Sequence, residues 1–278
     1  MLEFAPAMGE SATGHAGTYR RSLPVDLERL YENALDWEHL PWVHPSAFRS
    51  IECLNVTSRS WRARTESPTG GVSVIELTLD RACRRWVTRV LDGEGRGNEI
   101  WTHVFSAAPR QGDSGAIPRV DIVIDFFLPG VPTDARSRVG EAYARLYAQL
   151  YDEDVAMMVE RTRQLERRPG MDAQAPRQVA LGPRAALVLP ARVLLGAREF
   201  VVTASGDVLR AFPAQCPHML GPLDAGGVRD GAVTCPWHGY QFDLATGRNL
   251  SGKTCTLHPL PTVTVDVDDV VHVTLPNA

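Results

Sequence analysis

Apolar residues recur at helical spacing over residues 24–40, and strand-like runs follow. Pro24 and Asp26 are start signals for that helix, and Pro41 predicts its end at Leu40. The later runs are separated by Gly-rich or charged turns, which favours an antiparallel meander. Its strands are expected at residues 72–79, 84–92, 99–108 and 119–128. A long helix is expected after them, at roughly residues 138–168.

The second half of the chain has a different pattern. The segment RRPGMDAQAPR at residues 167–177 breaks all periodicity and is typical of a linker. Beyond it the apolar runs are short and strand-like, at residues 185–190, 199–204, 207–212, 262–267 and 270–275. We therefore predict an α+β chain with a helix-and-sheet domain at residues 1–168, a linker at 169–177 and an all-β domain at 178–278.

Composition narrows the class of protein. The 278 residues are 44% hydrophobic and 22% charged, as in an ordinary water-soluble globular protein, with length enough for two domains. The net charge of −4 and scattered basic residues argue against a nucleic-acid partner, and no apolar run suits a membrane span. The N-terminus lacks the pattern of a signal peptide, so we expect a cytoplasmic protein. In that compartment the five cysteines indicate metal ligands or free thiols.

Two segments of the second half each pair a cysteine with a histidine. Cys216 and His218 lie in CPH, and Cys235 and His238 lie in CPWH, sixteen residues further on. Zinc accepts two thiolates and two imidazoles, though usually from a finger or ribbon. A mixed pair from each of two loops better suits a [2Fe–2S] cluster with two cysteines on one iron and two histidines on the other. Unrelated thiols and histidines in β-loops are the remaining alternative.

The segments CPHMLGPL and CPWHGYQFDLATG resemble the Rieske iron–sulfur proteins over roughly residues 178–275. The resemblance implies that Cys216, His218, Cys235 and His238 bind the [2Fe–2S] cluster. Respiratory-chain members carry an extra cysteine in each loop, and these cysteines form a disulfide. Here Gly221–Pro222 and Trp237 stand in that neighbourhood, so the chain resembles the lower-potential ferredoxin or oxygenase type. The remaining cysteines, Cys53, Cys83 and Cys255, are expected to be structural thiols, the first two buried.

The first half offers a possible acceptor for the electron. Asp36 and His39 share one face of the predicted helix, and the end of the helix at Pro41 lets His44 turn back towards His39. A lone histidine on such a helix is more often a core residue than a ligand. On the long helix, however, Asp154 falls in the middle of the apolar stripe, where an unpaired carboxylate costs several kcal/mol.

The buried carboxylate therefore needs a partner. A metal held by His39, His44 and Asp154 would be a two-histidine, one-carboxylate site of the non-haem Fe(II) type, with positions open for O₂. Arg161 is the alternative partner, in a structural ion pair. Asp152 and Glu153 point further round the helix and are expected to stay solvated.

The arrangement E-N-x-x-D-x-x-H-x4-H at residues 32–44 resembles the iron motif of Rieske non-haem iron oxygenases, and Glu153–Asp154 with Glu160 fits their later carboxylate helix. The resemblance implies mononuclear iron on His39, His44 and Asp154. It also implies that Asp36 is a bridge to a cluster histidine, His238. The catalytic half would be a helix-grip fold, a curved antiparallel sheet with a long helix across it. The domain order is the reverse of the family's usual order.

The same resemblance implies partners and chemistry. It implies a homotrimer in which a terminal oxygenase activates O₂ to hydroxylate or demethylate a small organic substrate. Electrons would come from NAD(P)H through a separate reductase or ferredoxin, since this chain has no nucleotide-binding glycine fingerprint. Residues that could line the substrate pocket are Trp42, Trp101, His103, Phe105 and Phe127.

Two other functions stay open. The chain could be a Rieske electron carrier fused to a helix-grip domain that binds a ligand without catalysis, or its first half could be a regulatory or scaffold module with a structural metal. The number and identity of the bound metals would separate the three functions.

Overall fold

The computed structural model describes residues 13–106, 118–167 and 176–276. The chain falls into two compact units, residues 1–159 and 160–278, with the division inside the long helix. The N-terminal twelve residues, the end of the strand predicted at 99–108 and most of the predicted linker lie outside the described residues. In the described part of the chain, no helix has both the length and the apolar composition that crossing a bilayer requires.

The first unit is built on one antiparallel sheet of seven strands. In spatial order they are β1, β7, β6, β5, β4, β3 and β2. Their bounds are β1 His15–Leu23, β2 Ser50–Val56, β3 Ser60–Glu66, β4 Val72–Asp80, β5 Arg85–Gly93, β6 Glu99–Ser106 and β7 Val120–Phe127. The four strands predicted from the sequence are β4 to β7. Strands β1 to β3 were not predicted. Strand β1 forms one edge of the sheet and pairs with β7.

Three helices accompany this sheet: α1 at Leu27–Leu35, α2 at Leu40–Val43 and α3 at Arg136–Glu166. Helix α3 packs its apolar stripe on alternate residues of the strands. Phe126 of β7, for example, lies with its ring centroid 5.5 Å from that of Tyr143 and 5.2 Å from that of Tyr147. A long helix across an antiparallel sheet is the helix-grip arrangement that the sequence predicts.

The second unit continues after α3 as short strands, as predicted. They form three antiparallel sheets of three strands each, β11-β10-β9, β12-β13-β14 and β15-β16-β8. Single 3₁₀ turns lie at Arg184–Ala186 and Leu223–Ala225. The strand bounds are β8 Gln178–Pro183, β9 Ala191–Leu195, β10 Arg198–Ser205, β11 Val208–Pro213, β12 Val228–Arg229, β13 Ala232–Thr234, β14 Gln241–Asp243, β15 Thr262–Val265 and β16 Val270–Thr274. Residues 176–276 are therefore all-β apart from the two turns.

Candidate metal and cluster sites

The helix predicted over residues 24–40 is two helices, and the break places the histidines. Asp26 caps α1 by accepting a hydrogen bond from the Arg29 amide at 2.7 Å, but α1 ends at Leu35. Pro41 does not end a helix, because it lies in the first turn of α2, where its missing N–H costs nothing. The prediction of a helix end at Leu40 was wrong for this reason. His39 and His44 are the residues that flank α2.

Three predicted ligands meet between this turn and α3. The side chains of His39, His44 and Asp154 are buried, and each offers a ligand atom within 4.8 Å of the others. One carboxylate oxygen, Oδ1 of Asp154, lies 3.3 Å from His39 Nε2 and 3.0 Å from His44 Nε2. The same oxygen accepts a hydrogen bond from Asn33 Nδ2 at 3.0 Å.

The donor set and the two carboxylate–imidazole distances fit a divalent metal. Nitrogen and oxygen ligands lie about 2.1 Å from such an ion, so atoms 3.0–3.3 Å apart would subtend about 90–105° at it. That range includes the 90° expected between neighbouring ligands of an octahedral ion, as in a two-histidine, one-carboxylate site. Burial alone would lower the pKa of His39, but the carboxylates of Asp154 and Asp36 raise it to about 10. An entering metal must therefore displace a proton from this imidazole.

Each of the two predicted metal-ligand histidines has a second carboxylate near its other ring nitrogen. His44 Nδ1 lies 2.7 Å from Glu153 Oε2, and His39 Nδ1 lies 3.4 Å from Asp36 Oδ2. Glu153 also accepts a hydrogen bond from Gln149 Nε2 at 3.1 Å. Such outer carboxylates fix the tautomer and orientation of a ligating imidazole. The expectation that Glu153 is merely solvated was therefore wrong, whereas Asp152 is largely exposed and pairs with Arg21.

The two predicted cluster loops have the same backbone hydrogen bonds. In each loop the cysteine carbonyl accepts from the amide four residues on, Leu220 for Cys216 and Gly239 for Cys235, at 2.9 Å. Each cysteine amide then donates to the carbonyl five residues on, at 2.8 Å. Leu220 and Gly239 adopt φ values of 65° and 66°. The two loops therefore share one turn geometry, although their sequences differ at the left-handed position.

The four side chains of these loops converge. The thiols of Cys216 and Cys235 are buried and hydrogen-bonded to each other, which raises the pKa of Cys216 and lowers that of Cys235. The rings of His218 and His238 have centroids 4.6 Å apart. His238 is buried and His218 is exposed. Two adjacent thiols and two adjacent imidazoles are the donors that a histidine-ligated [2Fe–2S] cluster needs.

Gly221 leaves room beside this donor set. A Cβ at Gly221 would lie 3.0 Å from Cys235 Sγ and 3.0 Å from Cδ2 of Trp237. The first loop thus lies against the second at the ligand positions, which is why the residue here carries no side chain.

Most of the aromatic residues predicted to line a pocket lie on the other face of the sheet. Ile100 and Val104 of β6 belong to the core under α3, so Trp101, His103 and Phe105 between and beside them point away from it. Phe127 likewise alternates with the core residue Phe126 of β7. Trp42 lies on α2 and is 48% exposed. The four candidates on β6 and β7 therefore lie on the face of the sheet opposite α3.

The three remaining cysteines are free thiols, as expected, but their burial differs from the prediction. Cys83 lies in the turn after β4 and is exposed, and Cys53 and Cys255 are half-buried.

Comparison with known proteins identifies part of the second unit. The family model of the Rieske [2Fe–2S] domain matches residues 174–262. A human Rieske domain-containing protein is 37% identical over 57 residues, which cover 19% of this chain and 36% of that protein. The match thus spans about a third of the relative's length. The chain contains a Rieske [2Fe–2S] domain, and such a domain transfers single electrons.

Solved structures resemble parts of the chain. The ferredoxin of carbazole 1,9a-dioxygenase from Nocardioides aromaticivorans IC177 is 24% identical and matches 35% of this chain and 96% of its own, with a TM-score of 0.32. The Zhui aromatase/cyclase from Streptomyces sp. R1128 is 14% identical and matches 54% of this chain and 96% of its own, with a TM-score of 0.42.

Proposed function

We propose that this chain is a terminal oxygenase component that hydroxylates or demethylates a small organic substrate. Bound to His39, His44 and Asp154, a mononuclear Fe(II) would supply O₂ activation, and the Rieske cluster would supply electrons. The observation that carries the proposal is the buried Asp154 carboxylate, 8% exposed, whose oxygen faces two histidines at 3.0 and 3.3 Å.

The protein residues around the proposed iron have separate tasks. Glu153 holds the imidazole of His44 by a hydrogen bond, Asn33 holds the carboxylate of Asp154 in the same way, and Asp36 lies at ion-pair distance behind His39. The surrounding core keeps bulk water away from the ligands, since both histidines are at most 2% exposed. Rigid ligands in a dry site favour reaction with a positioned substrate over side reactions.

Asp36 is proposed as the bridge between the two redox sites. Its carboxylate lies 3.4 Å from Nδ1 of His39 and is 10% exposed in its side chain. One oxygen can therefore contact the iron ligand while the other accepts from a cluster histidine, for which we propose His238. In a homotrimer this contact would join one subunit's Rieske domain to the next subunit's iron site.

Electrons must reach the cluster from outside the chain. We propose a reductase, a ferredoxin or both, fed by NAD(P)H, as partners of the Rieske domain. The alternative function is a Rieske electron carrier fused to a helix-grip domain that binds a ligand without catalysis. It predicts a cluster but no third iron, because only the oxygenase needs a metal on the histidine pair.

Metal analysis of the anaerobically reconstituted chain tests the proposal. We expect about three irons per chain, two in the cluster and one on the triad. His39→Ala should lose the third iron and substrate-dependent O₂ uptake while keeping the cluster's visible spectrum. His15→Ala, which changes an exposed histidine on β1, should keep all three irons. Two irons in the unaltered chain would support the carrier, and zinc on the triad would support a structural site.

A further inference from the structure

One aromatic ring contacts both predicted histidine ligands of the cluster. Tyr240 lies with its ring centroid 4.7 Å from that of His218, at an interplanar angle of 30°, so the two rings are stacked. The same ring is 5.7 Å from His238. Tyr240 is only 5% exposed, so its contact with the ligands is shielded from water.

A cation lies over that ring. The ammonium nitrogen of Lys253 is 5.1 Å from the Tyr240 centroid, within the range of a cation–π contact. The backbone of this lysine is held in place, because its amide donates to Asn249 Oδ1 at 3.1 Å and the neighbouring Ser251 amide donates to the same oxygen at 2.8 Å. Lys253 is the single lysine of the chain; every other position among the 29 basic residues is arginine.

The charge of the cluster determines what such a cation does. With two thiolates and two neutral imidazoles, a [2Fe–2S] cluster is formally neutral when oxidised and singly negative when reduced. A fixed positive charge nearby therefore stabilises the reduced form more than the oxidised form. The ammonium also polarises the Tyr240 ring, which stacks on the His218 imidazole, and so makes that ring a poorer electron donor. Both effects raise the reduction potential of the cluster.

We propose that Lys253, held over Tyr240, raises the reduction potential of the Rieske cluster from the side of its histidine ligands. The inference rests on the Rieske domain and on residues of the second unit alone. It is independent of the mononuclear iron, so the oxygenase proposal and this one can fail separately. Lys253 is a positioned charge, and its ammonium group lies over the Tyr240 ring.

The reduction potential of the full-length, cluster-loaded chain tests this role. Lys253→Gln should lower the potential, whereas Lys253→Arg, which keeps the charge, should leave it close to that of the unaltered protein. Arg184→Gln is the control, because it removes one charge from the same domain while its guanidinium contacts only the Asp207 carbonyl among the described hydrogen bonds. The shift caused by Lys253→Gln should shrink as salt is added, since ions screen charges near the surface.

Voltammetry and the visible spectrum should be recorded on the same samples. Lys253 is exposed, so its replacement should leave the cluster content unchanged. A Lys253→Gln variant with an intact cluster and an unaltered potential would overturn the proposal. An equal shift in Arg184→Gln would also overturn it, because the effect would then come from net charge rather than from the position over Tyr240.

Discussion

At the scale of single residues, Gly221 shows how little space separates the two cluster loops. Gly221→Ala would bring a methyl group to about 3.0 Å from Cys235 Sγ and the Trp237 ring. Overpacking of this kind lowers the free energy of unfolding by about 1–3 kcal/mol, and here the added methyl group presses on Cys235, a predicted cluster ligand. We expect the variant to lose its cluster faster during anaerobic storage, followed by visible absorbance and iron content. Gly227→Ala is the matched control, since no atom lies within 4 Å of the added Cβ.

Equal rates of cluster loss in the two glycine variants would mean that the loops yield without strain. The comparison is informative because both glycines lie in the same part of the Rieske domain and neither has a positive φ.

Residue type and spacing were enough to predict the cluster ligands, because the conformation of each loop depends on a short stretch of sequence. The Rieske match supports the cluster, whereas the iron ligands stay a prediction. Asp154 was chosen by helical periodicity, and the structure places it beside both histidines. Glu153 was missed because its task depends on where His44 lies, 109 residues earlier in the chain. No local pattern distinguishes such a carboxylate from a solvated one.

At the scale of elements, the break between α1 and α2 was the main error. The sequence contains a helical run and then Pro41, but a proline after a helical run can end one helix or begin the next. The break occurs at Asp36, whose φ and ψ of −87° and 87° are not helical. Strands β1 to β3 were missed for a different reason. Their sequences contain many polar residues, as in β3 (Ser60–Glu66), where Trp61 and Ala63 are the apolar side chains and the other five are polar.

Helix α3 approaches strand β1 at the edge of the sheet most closely at Gly140. A Cβ at Gly140 would lie 2.0 Å from the Ala16 carbonyl oxygen of β1. Gly→Ala inside an exposed helix usually stabilises it by about 1 kcal/mol. At Gly140 we expect the opposite sign, a loss of about 1–3 kcal/mol in the free energy of unfolding, because the helix must move away from β1.

Urea unfolding of Gly140→Ala measures that loss, and Fe(II) binding to the same variant should weaken because Asp154 lies on the displaced helix. Gly130→Ala, with no atom within 4 Å of the added Cβ, should change neither quantity. A Gly140→Ala protein as stable as the unaltered chain would show that β1 and α3 separate without cost.

At the scale of the whole molecule, the two proposed redox sites lie in different units of one chain, and the unit with the proposed iron ligands comes first. The proposed bridge from Asp36 to His238 can therefore connect sites of one chain or of two chains. A closed head-to-tail ring would use the second arrangement, because each subunit then supplies a cluster to one neighbour and an iron site to the other.

Two inactive variants can distinguish these arrangements. Cys235→Ser should lose the cluster but keep the triad, whereas His39→Ala should lose the iron but keep the cluster. Each variant alone should lack substrate-dependent O₂ uptake. Co-expressed in equal amounts with different affinity tags, they should recover about a quarter of the unaltered activity, because half of the donors and half of the acceptors are intact at each junction of a ring. Mixed oligomers without recovered activity would place electron transfer within a single chain.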